Sequence, residues 1–264
     1  MANYRILVIN LDRSPERLAA ISAQLEKLDV PFERVVALDG KELADDFIEA
    51  ASPKQIVGKT YHRALSKAEV ACSLSHKKAW QKIVDDDLDF GIVLEDDCEL
   101  LDNFADVVEL IDGLPGDSWD FIKLYALRRG GGKNIAKRFD YKGHTFVTYH
   151  RYPLGFVGQA VSRRGAETLV KNLRYVTEPV DGQLKSWWET GVFPFGLMPY
   201  CVTTDLDGVS DINPTGGLEE MQQDRWVKIR NKVRRAAGRL WWTPKLNRRF
   251  REFTELLQKN EREQ

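Results

Sequence analysis

GIVLEDDCEL, Gly91 to Leu100, sets four residues suited to a protein interior, Gly91-Ile92-Val93-Leu94, directly against three consecutive acids, Glu95-Asp96-Asp97. A short apolar run bounded by polar residues, here Phe90 to Leu94, reads as a strand buried on both faces, the kind found in parallel α/β sheets. In open α/β sheets ligands bind outside the carboxyl ends of the strands, which is where these acids fall. Neighbouring carboxylates repel one another, and that repulsion raises their pKa values unless a cation sits among them. A hard divalent ion such as Mn²⁺ or Mg²⁺ prefers oxygen ligands and also bridges to phosphate oxygens. The acids therefore read as a metal–diphosphate site, against the plainer reading of a solvated turn with a helix-capping Asp.

The flanking sequence supplies the rest of such a sheet. Tyr4 to Asn10 (YRILVIN) reads as a buried strand. Ser14-Pro15-Glu16 then opens a helix with Leu18, Ile21, Leu25 and Leu28 on one face, and Phe32 to Ala37 is a second strand. This β-α-β unit implies parallel pairing. Ser52 to Ala64 is polar and reads as irregular, and Ser66-Lys67-Ala68-Glu69 has the capping-box pattern that starts a helix through Val84, with Val70, Leu74 and Ile83 as core contacts. A helix near Asn103 to Ile111 follows the acids. Strands are expected at Trp119–Tyr125, Thr145–Tyr149, Phe156–Ser162, Val192–Leu197 and Tyr200–Thr204, with helices at Gly165–Leu173 and Gly182–Glu189. Arg128 to Lys133 (RRGGGK) reads as a mobile surface loop.

The first strand exits through Asn10-Leu11-Asp12-Arg13, with Arg17 one helical turn later, so polar and cationic groups gather at the edge that carries the acids. A sugar nucleotidyltransferase would need a glycine-rich phosphate loop at this point; the segment is NLDRSPER, which has no glycine. A non-catalytic nucleotide-sugar binding module is the other alternative.

The chain has 264 residues, 43% of them hydrophobic and 30% charged, enough for a sizeable core. No apolar run is long enough to span a bilayer, and Ile6 to Leu11 is too short for a signal peptide, so a cytoplasmic location is expected. Cys72, Cys98 and Cys201 are odd in number and widely spaced, which argues for free thiols over a disulfide framework or zinc site. The net charge of −1 conceals an asymmetry: Trp226 to Gln264 carries 12 Lys and Arg against 4 acids, and the remainder 27 against 36.

Five blocks together resemble glycosyltransferase family 25, the bacterial lipooligosaccharide galactosyl- and glucosyltransferases whose animal relatives glycosylate collagen: VINLDRSPER at Val8–Arg17, ACSLSHKKAW at Ala71–Trp80, VLEDD at Val93–Asp97, SRRGAETL at Ser162–Leu169 and PVDGQL at Pro179–Leu184. The resemblance implies an α/β fold of the GT-A type, a single Rossmann-like domain with a mostly parallel central sheet over residues 1–212. It also implies a UDP-galactose or UDP-glucose donor, Mn²⁺ or Mg²⁺, and inversion at the anomeric carbon. Carried over by position, Asp97 and Glu95 are metal ligands, and Asp96 reaches the donor ribose or sugar. Asn10, Leu11, Asp12, Arg13 and Arg17 form the nucleotide end, the arginines being suited to bidentate phosphate contact. His76 reads equally as a donor contact or as a core histidine that holds its helix. One of Asp205, Asp207 or Asp211 completes the metal shell, with Asp205 placed first. Asp181 is the candidate base for the acceptor hydroxyl, its plainer role being a helix cap.

Residues 213–225 read as a linker and 226–264 as a basic amphipathic helical tail. Ten basic residues and no acid lie between Trp226 and Arg251, interleaved with Leu240, Trp241, Trp242, Leu246 and Phe250. Such a composition suits an anionic membrane surface, whereas a plainer role is packing on the acidic body. With a lipooligosaccharide or lipid-linked oligosaccharide acceptor, the expected place is the inner face of the cytoplasmic membrane, and no nucleic-acid partner is expected.

Overall fold

The computed structural model describes residues 2–61, 63–126, 134–204 and 225–263. The expected loop 128–133, the metal-ligand candidates Asp205, Asp207 and Asp211, and nearly all of the linker lie outside the described residues.

The chain opens with the expected unit. β1 (Tyr4–Asn10) and β2 (Phe32–Val36) pair in parallel around α1 (Pro15–Lys27). Ser14 makes no side-chain cap; its carbonyl accepts instead from Asn10 Nδ2 at 2.9 Å. Two short helices follow, α2 (Asp45–Ala51) and α3 (Lys54–Thr60), the second lying within the stretch expected to be irregular. α4 (Lys67–Asp85) begins with the predicted capping box between Ser66 and Glu69. Next come β3 (Phe90–Glu95), β4 (Cys98–Leu100), α5 (Phe104–Asp112), β5 (Phe121–Lys123), β6 (Ile135–Tyr141), β7 (His144–Tyr149) and β8 (Gly158–Ser162). The remaining elements are α6 (Arg163–Asn172), α7 (Val180–Lys185), α8 (Trp187–Thr190), β9 (Pro194–Met198), β10 (Val202–Thr204) and α9 (Arg225–Glu263).

Eight strands form one sheet in the order β2-β1-β3-β8-β5-β9-β7-β6. Three neighbouring pairs are parallel and four antiparallel, so the sheet is mixed. Following those pairings across the sheet, only β7 and β8 run against the other six. The mostly parallel expectation thus holds for strand direction, and the β-α-β half β2-β1-β3 is parallel throughout. β10 leaves this sheet and pairs antiparallel with β4, setting Thr204 opposite Cys98.

Alternation along the strands builds a core on each face. Ile6, Val8, Ile92 and Leu94 pack with Ile21 and Leu25 of α1 and with Phe104 and Val107 of α5. On the opposite face Leu7, Ile9 and Val93 pack with Ala79, Trp80 and Ile83 of α4 and with Leu169 and Leu184 of α6 and α7. α4 lies close on β3: a Cβ at Gly91 would come 2.7 Å from the Ile83 side chain. Because α4 ends where β3 begins, its first turns lie over the carboxyl end of β3, beside the acids.

The tail is one long helix, and its second half belongs to the core. Leu246, Phe250, Phe253 and Leu257 are buried, and Phe253 meets Phe146 and Phe195 at ring distances of 4.9 and 5.2 Å. The expectation of a single membrane-facing segment over 226–251 is therefore corrected for Leu246 and Phe250, which the protein's own sheet covers. Phe253→Ala is expected to cost about 3–5 kcal/mol in urea unfolding. A loss below about 1 kcal/mol would mean that α9 is only loosely attached.

Candidate active site

Four chain segments meet at the carboxyl edge of β1, β2 and β3 around a cavity of about 380 Å³. Leu11, Arg13 and Arg17 come from the exit of β1 and from α1, and Leu38 to Lys41 from the exit of β2. α4 contributes Ser66, Lys67, Ala68, Cys72, Ser75 and His76, and β3 contributes Glu95, Asp96 and Asp97. The cavity is lined by apolar Leu11, Ala37, Leu38, Ala68 and Ala71 and by charged residues that include Arg13, Arg17, Lys41 and the three acids. Gly40 permits the close approach of α4, since a Cβ there would stand 2.7 Å from the Ala68 nitrogen.

The three acids are held differently. Glu95 Oε1 lies 2.8 Å from His76 Nε2, and Gln159 Nε2 lies 3.0 Å from His76 Nδ1. With the Gln159 amide donating to Nδ1, the imidazole proton sits on Nε2 and points at Glu95. His76 is fully buried and packs edge-on against Phe156 at 4.9 Å. It lines the cavity and anchors its helix, as the core reading expects, and it fixes Glu95. Asp96 accepts from Asn10 Nδ2 at 2.7 Å and has Arg17 Nη1 at 3.6 Å.

Asp97 is exposed as a residue, but its carboxyl is recessed among the cleft atoms. Burial, followed by the negative charges of Glu95 and Asp96, pushes it up to about 7, with Arg17 pulling the other way. A carboxylate so disfavoured is where a cation lowers the energy most. The oxygen-only set of Glu95 and Asp97 fits a hard divalent ion. Cys72, His76 and Glu95 also converge, their ligand atoms within 4.8 Å of one another. Both His76 nitrogens are already engaged there, and burial pushes the Cys72 thiol well above its usual range. That trio is closed by its own hydrogen bonds, and the softer ligand set it would offer is not the better cation site.

Three predicted residues, Asn10, Asp12 and Asp181, do not line the cavity. Asn10 is buried beneath it, donating to Asp96 and to the Ser14 carbonyl while its Oδ1 accepts from Arg34 Nε at 2.9 Å. Asp12 faces outward and pairs with Arg34 Nη2 at 2.5 Å. Arg13 pairs with Asp39 Oδ2 at 2.5 Å. Burial raises the Asp39 carboxyl, but the Lys41 amide and Arg13 together hold it below the usual range. The segment Leu38 to Lys41 was not anticipated, although its position after β2 repeats that of Leu11 after β1, and the same strand-end rule identifies it.

Asp181 does not cap its helix. It follows Val180 within α7, and its Oδ2 accepts from the Gly155 amide at 3.3 Å. The Gly155 carbonyl in turn accepts from Lys123 Nζ, so one residue, through the two peptide groups that flank its Cα, joins a lysine to a carboxylate. Gly155 has φ +88, and a Cβ there would stand 2.4 Å from the Tyr125 ring, so glycine is required. Lys123 is fully buried against the rings of Tyr152 and Phe156, a burial that no local sequence pattern signals. Burial pushes its ammonium down to about 7, against the pull of Asp181 and Glu95. Asp205 lies outside the described residues, but its predecessor Thr204 donates from Oγ1 to the Asp97 carbonyl at 3.1 Å.

Residues 3–184 match the family model described as glycosyltransferase family 25 (LPS biosynthesis protein). The match covers well over half of the chain, which therefore belongs to glycosyltransferase family 25. Three relatives illustrate its range. A glycosyltransferase 25 family member of Drosophila pseudoobscura pseudoobscura is 35% identical over 35% of this chain and 15% of its own length. Procollagen galactosyltransferase 1 of Danio rerio is 29% identical over 63% of this chain and 28% of its own length. A probable inactive glycosyltransferase 25 family member 3 of Rattus norvegicus is 34% identical over 45% of this chain and 22% of its own length. The chain thus matches at most about a quarter of the length of these relatives.

The buried lysine makes a pH test. Its pKa is near 7 when folded against 10.5 for the free side chain, so between these values the unfolded chain binds the extra proton and folding gains as pH rises. Wild type should gain stability relative to Lys123→Met from pH 7 upward, at a slope of up to ~1.4 kcal/mol per pH unit. A stability gap that stays constant from pH 6 to 10 would place the lysine in solvent.

Proposed function

We propose that the protein is an inverting, metal-dependent hexosyltransferase of the GT-A type that moves galactose, or alternatively glucose, from a UDP-sugar to an oligosaccharide acceptor. The observation that carries this reading is the set of carboxylates at the end of β3, lining a cavity that Arg13 and Arg17 also line. Family membership and the procollagen galactosyltransferase relative support the reaction class and the galactosyl donor. The family's description as a lipopolysaccharide biosynthesis protein supports a lipooligosaccharide or lipid-linked oligosaccharide acceptor at the inner face of the cytoplasmic membrane. No described helix is long and apolar enough to cross a membrane, so attachment there is peripheral in this reading.

In the reaction the acceptor oxygen attacks the anomeric carbon from the face opposite UDP, the bond between that carbon and the diphosphate oxygen breaks, and the acceptor proton passes to a carboxylate. Asp181 is the group assigned to that proton, with the Gly155 amide fixing its rotamer. Arg13 and Arg17 would steady the diphosphate through forked hydrogen bonds. Glu95 and Asp97, with Asp205 as a further ligand, would hold a Mn²⁺ or Mg²⁺ ion that neutralises charge developing on the leaving diphosphate. His76 keeps Glu95 aimed at the cavity, and Asn10 does the same for Asp96. The apolar wall of Leu11, Leu38 and Ala71 suits the flat uracil, and Asp39 and Lys41 offer groups for its polar edge.

The relative named as probably inactive favours one second reading, a module that binds a nucleotide sugar without transferring it. UDP release from a panel of UDP-sugars, with and without Mn²⁺ and with an oligosaccharide acceptor, separates the two. Turnover of one donor that requires the metal is expected. Asp97→Ala should lower it by roughly 10²-fold or more, and Asp181→Asn should keep donor affinity while losing about 10²–10⁴-fold in transfer. Donor binding without turnover, indifferent to Asp181→Asn, would establish the binding module. No binding of any UDP-sugar would reduce the acids to a surface turn.

A further inference from the structure

α9 carries two apolar faces, and the fold covers only one. The inward face presents Trp242, Leu246, Phe250 and Phe253 to the sheet. On the opposite side Ile229, Val233, Ala237, Leu240 and Trp241 recur three or four residues apart, the spacing of one continuous stripe along a helix. The stripe is open: Val233 is 61% exposed, Leu240 80% and Trp241 73%. A monomer in water has no reason to retain such a row of side chains on its surface.

The charge around the stripe identifies what covers it. Arg230 and Arg248 stand at its two ends and Lys232 and Lys245 along its flanks, all exposed, and no acid occurs between residues 225 and 251. An apolar stripe with cations on both sides is complementary to a surface that is apolar below and anionic above. We propose that the outward face of α9 docks on an anionic lipid bilayer, with Leu240 and Trp241 entering the headgroup boundary and the flanking cations meeting lipid phosphates. An exposed helical stripe flanked by cations suits a deformable anionic surface. Its uncharged centre does not suit nucleic acid, where cations track phosphates.

The helix is already fixed for this role. Asn231 Nδ2 donates to the Thr60 carbonyl at 3.3 Å, Arg234 reaches Glu189 at 3.5 Å, and Arg235 pairs with Glu178. Docking therefore orders no loose tail, which removes an entropic cost of association. Glu178 precedes Asp181 by three residues, so α9 packs against the segment that carries the candidate base. Such an arrangement would present a lipid-anchored acceptor to it. Vesicle binding needs neither donor nor cation, so it stands or falls apart from the transfer reaction.

The test is co-sedimentation of the full chain with vesicles containing phosphatidylglycerol and with vesicles of phosphatidylcholine alone, at low and high salt. Binding to the anionic vesicles that weakens with salt is expected. Leu240→Glu/Trp241→Glu should lower the affinity at least tenfold while leaving the melting temperature unchanged, because both side chains are exposed. Absence of binding, equal binding to neutral vesicles, or full binding by the double variant would overturn the proposal. So would a concentration-dependent dimer in sedimentation velocity that the double variant disperses, which would assign the face to a second copy of the chain.

Discussion

Three carboxylates in a row at the end of one buried strand is the constraint around which this site is organised. Left alone, each would destabilise the other two. The fold separates their environments instead: His76 faces Glu95, Asn10 and Arg17 face Asp96, and Asp97 is left against the cleft with its proton affinity raised. These partners come from α4, β1 and α1, so the arrangement depends on the β-α-β half of the sheet closing correctly. The absence of a side chain at Gly91 lets α4 lie low enough on β3 for His76 to reach Glu95. Packing in the core and charge at the site are in this sense the same requirement.

That half of the molecule was legible in the sequence because its signals are local. Apolar strands ending in polar residues, a capping box at Ser66, and acids at a strand terminus each need only a few neighbouring residues to be read. What escaped depends on distant partners. β6 (IAKRFDY) is a charged strand at the sheet edge, buried only at Tyr141, and has no apolar run to announce it. α3 (KQIVGKT) is short and contains a glycine, so only tertiary contacts make it helical. Lys123 reads as an ordinary strand lysine until the fold closes Tyr152 and Phe156 over it. Asn10 and Asp12 were placed at the correct edge, yet their side chains turn to Asp96 and Arg34, a choice of rotamer that no spacing encodes.

α9 shows the limit most plainly. Its composition suits a membrane first and the protein's own body second, and its second half follows the second reading. Aromatic residues at 250 and 253 are consumed by the sheet, while leucine and tryptophan at 240 and 241 are left outside. A helix with two apolar faces shows little net amphipathicity, which is why the sequence could not separate the two roles. Family membership adds a scale: the relatives named here are several times longer than the portion matched, so what the chain shares with them is that portion alone.

The central claim is that the acids of β3 hold a divalent ion against a nucleotide diphosphate. Phosphorus NMR of UDP with the protein and trace Mn²⁺ tests it directly, because the paramagnetic ion broadens only phosphorus nuclei held close to it. Strong broadening of both phosphorus resonances beyond that of UDP and Mn²⁺ alone is expected, returning to that level with Asp97→Ala. Broadening that is no greater with protein than without, or that survives in Asp97→Ala, would contradict it.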